Sequence, residues 1–575
     1  MKKRVLAMLL SVTMVASMLA GCGGFGETGD SGAASADTSG GSESAASGDS
    51  SAASGDAASG DKVKLKAVAV IHPLTKDPAD MQWLHELEAE ANVEIEWEVI
   101  RADWDTVKST RFAAGDIPDI LLCNATIDDD YIKYNGLFLE LTPYLTEELT
   151  PNICAMFAEE PDTKSLATTK DGKIYGTPKF QGKWPSTNSV MFINQKWLDN
   201  LGLSMPTTFT EFKEVLTAFK EQDANGNGDP NDEIPLDYNA YSGGGEINSW
   251  FNSAYSLTSL LGGLGIQVTN TDNAGFFAED NTVKCYAVDE RYKLFMKYIA
   301  DLYANGLINE NALTNDYATF QSLSRGNEAG EAIVGCVFGW EQTDKFGPEL
   351  HTEYAVVPPL AYDVDCEPGT YDTRWRNDYT ILNMQGNRAC VSAKCENPEA
   401  AMRFIDRFYD QTHSVEALFG GIADGCIEKT GDNSYKVLPP QDPSTDAGTW
   451  KWTSTFADFS PMYIRRSTEI EMAQDMTYAL DARAQGYNEI IEKASTSDTY
   501  PNMFMRYTEE DQNTIALTKP NIDNIIDNQW SLWMTGEQDI DATWDAYVEN
   551  VNNAGLPQIL EIRQAAFDEY LKSVQ

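Results

Sequence analysis

The sequence predicts an α/β fold made of two regions of βαβ units followed by a helical final third, and three features point there. The first is an alternation of strand-like and helical runs from Val63 onward. Leu65 to Ile71 is β-rich. Asp80 to Ala91 is helical, with Met81, Leu84 and Leu87 on one face, and Val93 to Ile100 returns to strand. Asp103 to Ala114 is a second helix, after which Asp116-Ile117-Pro118-Asp119 leads into the apolar run Ile120 to Cys123. Strands joined by helices of this length pair in parallel, because a parallel pair needs a long crossover. The second feature is a similar region that begins near Val190, with helices at Gln195 to Leu201, Thr208 to Gln222 and Arg291 to Asn305. The third is the helical C-terminal third, which ends in the amphipathic segments Asp541 to Asn552 and Leu556 to Leu571. No short internal repeat and no second hydrophobic span interrupts this plan.

Composition narrows the function. A chain of 575 residues has room for two large lobes, and its 42% hydrophobic content suffices for a sizeable core. Against 42 lysines and arginines stand 89 aspartates and glutamates, a formal charge of −47. Such an excess repels phosphate backbones and anionic head groups, which excludes nucleic acid as a partner. Aromatic residues make up 11% of the chain, with 13 tryptophans, so a folded protein with ring surface to spare is expected.

The first 21 residues read as a secretory signal: Lys2, Lys3 and Arg4, then an apolar stretch from Val5 to Ala20. It ends in Leu19-Ala20-Gly21-Cys22, which resembles a bacterial lipobox, so the Cys22 thiol is expected to carry the diacylglycerol that holds the chain at the outer face of the cell membrane. Residues 22–61 then form a Gly/Ser/Ala/Asp tether unable to bury a core. The Gly21-to-Gly26 match to a dinucleotide fingerprint follows no strand and opens no helix, and is discarded. Eight further cysteines (Cys123, Cys154, Cys285, Cys336, Cys366, Cys390, Cys395 and Cys426) show no C-x-x-C spacing and are expected to be mostly reduced and structural.

Several short segments, taken in order, resemble a known family. They are the lipobox, Ala114-Gly115-Asp116-Ile117-Pro118-Asp119-Ile120, Asp171-Gly172-Lys173-Ile174-Tyr175-Gly176-Thr177-Pro178, and Phe192-Ile193-Asn194-Gln195-Lys196-Trp197-Leu198-Asp199-Asn200-Leu201-Gly202-Leu203. Asn397-Pro398-Glu399-Ala400-Ala401 and Thr535-Gly536-Glu537 with Trp544-Asp545-Ala546-Tyr547-Val548 complete the set. Together they resemble the family 1 extracellular solute-binding lipoproteins of ABC importers, maltose-binding-protein-like and of the oligosaccharide type. In place of the family's glycine-rich turn ending in tryptophan, this chain carries Phe419-Gly420-Gly421-Ile422-Ala423-Asp424-Gly425-Cys426. The resemblance implies a two-lobed, type II periplasmic-binding-protein-like fold with a hinge, a ligand cleft and a helical C-terminal extension. It places 63–178 and 332–391 in an N-terminal lobe and 179–331 and 392–575 in a C-terminal lobe. It further implies a monomer that captures an oligosaccharide or other small solute by hinge closure and passes it to permease subunits.

Two constellations carry candidate sites. In Asp223-Ala224-Asn225-Gly226-Asn227-Gly228-Asp229, oxygen-bearing side chains at positions 1, 3 and 5 and a glycine at 6 reproduce the first half of a calcium loop, and the Asp229 carbonyl would supply position 7. Position 12 is Ile234, so Asp232 and Glu233 would close the shell, as the comparable loop of the family does; a metal-free Asn-Gly turn is the alternative. A calcium ion there would be structural. The second constellation is aromatic. Trp83, Trp197, Trp530, Trp533 and Trp544 fall in amphipathic helical segments and read as core, whereas Trp184, Trp250, Trp340, Trp375, Trp450 and Trp452 sit in likely loops. Sugar rings present flat C–H faces to aromatic planes, so loop tryptophans near a cleft suit carbohydrate, with loop packing as the alternative. Trp340 leads, because it follows the strand Ile333 to Phe338, which by resemblance crosses into the first lobe and ends at the cleft. Trp184, Trp250 or Trp375 is expected to oppose it, with Tyr241, Arg374 and Arg376 completing the contacts.

Catalytic patterns are weak. His72, His85, His351 and His413 are scattered, and no P-loop or G-x-S-x-G elbow occurs. The chain is expected not to be an enzyme; a polysaccharide lyase or glycosidase, or a peptide- or lipid-binding lipoprotein on the same fold, are the alternatives.

Overall fold

The computed structural model describes residues 62–574 apart from 230, 240–254, 269–274, 379–381, 442–444 and 446. The expected signal 1–21, Cys22 and the tether 22–61, together with Tyr241 and Trp250, therefore lie outside the described residues. Residues from Asp61 onward form one compact unit.

In chain order the strands are β1 (Val63–Val70), β2 (Val93–Ile100), β3 (Ile120–Cys123), β4 (Gly176–Gln181), β5 (Val190–Asn194), β6 (Ile234–Asp237), β7 (Phe276–Glu279) and β8 (Thr282–Cys285). They continue with β9 (Val334–Gly339), β10 (Tyr354–Val356), β11 (Met384–Val391), β12 (Ile427–Gly431), β13 (Ser434–Val437), β14 (Tyr463–Ile464) and β15 (Glu469–Glu471). A six-stranded sheet has the order β14-β4-β11-β3-β1-β2, and a four-stranded sheet the order β10-β5-β9-β6. β1, β2 and β3 are parallel, as the βαβ alternation predicts, and β14 runs parallel to β4; β11 is antiparallel to both its neighbours. In the second sheet β6 and β9 are parallel, while β5 and β10 are antiparallel to their neighbours. β3 is buried along its whole length, as is expected of a strand covered on both faces.

Local chemistry explains the element boundaries. The Asn194 side chain caps Gln195–Leu201 by accepting from the Trp197 amide at 3.0 Å, and Gly202 ends that helix at φ 66°, a left-handed conformation that a Cβ would disfavour. Thr208 caps Phe209–Glu221, whose Phe209, Phe212, Val215, Leu216 and Phe219 form one buried stripe. Near the C-terminus, Trp544 donates to Glu290 at 2.9 Å and Tyr547 to the Ala287 carbonyl at 3.0 Å, which seats the helical extension on Glu290–Ala304. Trp83, Trp197, Trp530, Trp533 and Trp544 are all 2% exposed or less, and the eight cysteines after Cys22 are free thiols.

Strand pairing divides the lobes differently from the expected ranges. Within 332–391, β9 and β10 belong to the four-stranded sheet and only β11 joins the six-stranded one. Within 392–575, helix Pro398–Arg407 packs on Gln82–Ala91 and β14 extends the six-stranded sheet, whereas Gln474–Gly486 packs on Gln342–Leu350 and β10 of the second region. Trp340 accordingly ends a strand of the second sheet and not one that has crossed into the first. The chain passes between the two regions at residues 182–189, between β10 and β11, and again after β15.

Candidate functional site

In open α/β sheets ligands bind beyond the carboxyl ends of the parallel strands, where backbone leaves the sheet and side chains are free to converge. Here His72 follows β1, Trp184 follows β4 and Trp340 follows β9. The centroids of Trp184 and Trp340 lie 6.2 Å apart with planes tilted by 34°, and His72 lies 4.7 Å from Trp452 at 32°. Trp452 in turn meets Phe459 edge-on at 5.0 Å. His72, Trp184, Trp340 and Trp452 are each half-buried, so each combines a packed side with an accessible one.

A cation links the two ring pairs. The Lys451 ammonium lies 4.8 Å from the Trp184 ring and 5.2 Å from the Trp452 ring, and donates to Asp458 at 2.6 Å. Asp458 also receives Gln181 Nε2 at 3.2 Å, and its main-chain carbonyl receives Lys179 Nζ at 2.6 Å. Lys179 and Gln181 are 1% exposed on β4, the strand that leads to Trp184. Burial opposes ionisation of Asp458, yet Lys451 and Lys179 together bring its carboxyl down to about 2; burial also pulls the Lys179 ammonium down to about 7. The result is a charged clamp that fixes helix Ala447–Ser454, and with it Trp452, against β4. The row His72, Trp452, Trp184, Trp340 thus runs from the end of a first-sheet strand to the end of a second-sheet strand. Flat apolar faces bordered by polar groups suit a ligand with alternating C–H faces and hydroxyls.

His72 has a defined tautomer. The Leu74 amide donates to Nδ1 at 3.2 Å, and burial lowers the ring's pKa, so the neutral imidazole carries its proton on Nε2.

The calcium-type loop is closed on itself. Asp223 Oδ2 accepts from the Gly228 amide at 2.9 Å, Asn225 Oδ1 from the Asn227 amide at 2.9 Å, and Asn227 Oδ1 from the Asp229 amide at 2.8 Å. Glu233 Oε1 accepts from the Ala224 amide at 2.9 Å, while the Asn225 and Asn227 side-chain Nδ2 groups donate to the Asp232 carboxylate at 3.1 and 2.8 Å. Gly226 takes φ 77°, the left-handed turn that position 6 requires. Asp223 Oδ1 and Glu233 Oε2 remain buried without a partner, and burial raises the Glu233 carboxyl. Among the described residues no three acidic, histidine or cysteine side chains converge as a ready coordination shell. Two orphaned carboxylate oxygens inside an acidic loop nevertheless fit a hard cation, which would satisfy both.

The model of the bacterial extracellular solute-binding proteins matches residues 73–410. The chain belongs to that family. It is 27% identical over 539 residues to the fructooligosaccharide ABC transporter substrate-binding protein FusA of Streptococcus pneumoniae serotype 4, over 89% of this chain and 91% of that one. Among solved structures it resembles the HMO-binding, ABC-transporter-associated solute-binding protein of Bifidobacterium longum infantis, with a TM-score of 0.80 and 29% identity over 88% of this chain and 99% of the other. An EF-hand mutant of Streptococcus pneumoniae FusA in complex with fructo-nystose gives a TM-score of 0.73 at 25% identity, over 89% of this chain and 100% of the other. The two-lobed type II fold expected from the sequence is the fold this solute-binding protein shares with them.

The expected contact residues fare unequally. Trp184 and Trp340 come together, with centroids 6.2 Å apart and planes tilted by 34°. Trp375 is 1% exposed: its indole donates to the Ser189 carbonyl at 3.1 Å and stacks on Tyr487 at 4.4 Å, so it is packing and not a cleft wall. Arg376 is fully buried and pairs with Asp378 at 3.0 Å, which removes it as a ligand contact. Arg374 pairs with Asp372 at 2.7 Å and lines a hollow of about 710 Å³ with Tyr371 and Lys493, apart from the row. His72, Lys451, Asp458 and Lys179 were not legible as site residues, although the place of His72 just after an apolar strand was the available signal.

Proposed function

We propose that this solute-binding protein captures an oligosaccharide in the cleft between its two sheets and delivers it to the permease of an ABC importer. The single observation that carries the reading is the row His72, Trp452, Trp184, Trp340 along the strand ends, which offers successive platforms to successive sugar rings. Names of relatives that handle fructooligosaccharide or HMO support the same ligand class. Hinge closure is the mechanism: a ligand that touches both regions only when they are shut binds that state better and shifts the population towards it. Cys22 would hold the mature chain at the outer face of the membrane by an acyl chain, with 22–61 as tether. A structural calcium would sit on Asp223, Asn225, Asn227, the Asp229 carbonyl, Asp232 and Glu233, a reading supported by the two orphaned carboxylate oxygens.

Calorimetric titration with kestose, nystose, xylotriose and lacto-N-tetraose, set against a tripeptide and tetrapeptide panel, tests the ligand class. Micromolar binding of at least one glycan is expected, accompanied by compaction in small-angle scattering. Binding of peptides alone would overturn the reading, as would the release of new reducing ends from a bound glycan.

A further inference from the structure

Arg483, on helix Gln474–Gly486, is 1% exposed and makes no ion pair with a carboxylate among the described residues. Its nearest acids in electrostatic terms are Glu341 and Asp378. A guanidinium buried without a paired carboxylate is costly unless its donors are used. They are used on main chain. Nε donates to the Thr187 carbonyl at 2.9 Å, and Nη1 donates to the Ala479 carbonyl at 2.9 Å and to the Trp340 carbonyl. Nη2 is buried and unpartnered among the described residues. The same guanidinium lies over the Trp340 ring, 4.2 Å from its centroid. Trp340 is only half-buried, so part of the ring that the guanidinium backs remains accessible.

These contacts join three segments with different roles. Thr187 belongs to the passage 182–189 between the two sheets, Trp340 ends β9 in the aromatic row, and Arg483 itself stands on the helix that begins after the last passage. Carbonyl acceptors fix backbone, not side chains, so the guanidinium sets the position of the passage relative to the ring. We propose that Arg483 is a positioning residue that couples ligand stacking on Trp340 to the setting of the inter-sheet passage at Thr187. The proposal rests on the aromatic row being the ligand platform. A ligand that shifts the Trp340 ring would act on the guanidinium in contact with it, and through its Nε on the Thr187 carbonyl.

The coupling is tested first without ligand, by amide hydrogen exchange of 182–189 in the full mature chain. W340A should accelerate exchange in this segment severalfold in the native background and have little effect in an R483K background, because lysine keeps the charge but cannot reach three carbonyls. Equal exchange in the native protein and W340A would overturn the proposal, and so would an equal W340A effect in both backgrounds. A second arm uses whichever of the four named glycans the native protein binds. R483K should bind it roughly tenfold more weakly and compact less at saturation, whereas a merely structural role would lower the melting temperature and leave compaction at saturation unchanged. Full compaction of R483K with native affinity counts against Arg483. Absence of glycan binding by the native protein counts against the ligand class, and the exchange experiment still decides the coupling.

Discussion

Trp184 and Trp340 lie with their ring centroids 6.2 Å apart, although one follows a strand of the six-stranded sheet and the other a strand of the four-stranded sheet. The ring pair therefore bridges the two halves at the start of a passage between them. A sugar laid on one indole meets the next as it extends. W340A and W184A should each weaken glycan binding by roughly tenfold to a hundredfold, since a desolvated stacked indole is worth about 1–3 kcal/mol. W375A should behave oppositely. It removes a fully buried indole and should cost about 3–5 kcal/mol of stability with little change in the affinity of the folded fraction. Calorimetry and chemical denaturation on the three variants separate these outcomes, and native affinity in W340A would remove it from the site.

Asp458 stands between two lysines, so its loss and the loss of Lys451 are not equivalent. K451M leaves a one-to-one pair of Asp458 with Lys179, while D458N leaves two buried ammonium groups with no carboxylate between them. D458N should therefore be the more destabilising, by about 3–5 kcal/mol, and K451M should mainly loosen Trp452 against Trp184. The pH dependence has a definite sign. The Asp458 carboxyl is depressed in the folded state to about 2, so its contribution is fully present above the ordinary carboxylate pKa and is lost as pH falls from about 4 towards 2. Urea midpoints of the native protein and D458N should converge over that interval; parallel midpoints from pH 5 to pH 2 would refute the assignment.

The calcium-type loop makes a prediction that chelation reads directly. An ion that binds only the native state stabilises it by mass action, so the native protein should melt at a higher temperature in calcium than in chelator. D223A should melt lower than the native protein in calcium and close to it in chelator. Equal melting temperatures of the native protein under the two conditions would exclude the ion.

Much of the fold was legible because its signals are local. The stripe Phe209, Phe212, Val215, Leu216, Phe219 and the Asn194 cap need only near neighbours, and both appear as read. What decides lobe membership is strand pairing, and β9 pairs with β5 and β6 for reasons no short window contains. The site divides in the same way. Trp340 was legible as a ring at a strand end, whereas Arg374-Trp375-Arg376 reads as a set of ligand contacts in a loop, although the Trp375 indole is in fact held by the Ser189 carbonyl, 186 residues away. Arg483 lies 143 residues from Trp340 and Asp458 279 residues from Lys179, and sequence offers no signal at such separations.

Cys22 can be tested by mass. Full-length protein extracted from membranes should carry a diacylglycerol adduct on an N-terminal cysteine, and the Cys22→Ser protein should be recovered in the soluble fraction. A membrane-associated chain with an unmodified Cys22 would show that something other than the acyl group retains it.

His72 offers the sharpest chemical test of the row, because its hydrogen bonding fixes which nitrogen can face a ligand. Nδ1 is occupied by the Leu74 amide, and the ring packs on Trp452 at 4.7 Å with a 32° tilt, so the neutral form has Nε2–H left to donate to a sugar oxygen. Burial lowers the ring's pKa, which keeps this neutral form dominant at pH 7 and moves protonation to more acid conditions than for a free histidine. When Nδ1 is finally protonated the Leu74 amide loses its acceptor, and the ring must turn or the loop must shift. Glycan affinity of the native protein should then be level from about pH 8 down through the ordinary histidine pKa of about 6.5 and decline only at more acid pH. H72F retains a stacking ring but has neither nitrogen; it should bind about fivefold to twentyfold more weakly at pH 7, as expected for one hydrogen bond lost, and should show a flat profile across the same range. H72Q, which can donate but cannot stack, should also bind weakly, so that only the native residue combines both functions. Native affinity in H72F at pH 7 would place the imidazole outside the ligand's reach.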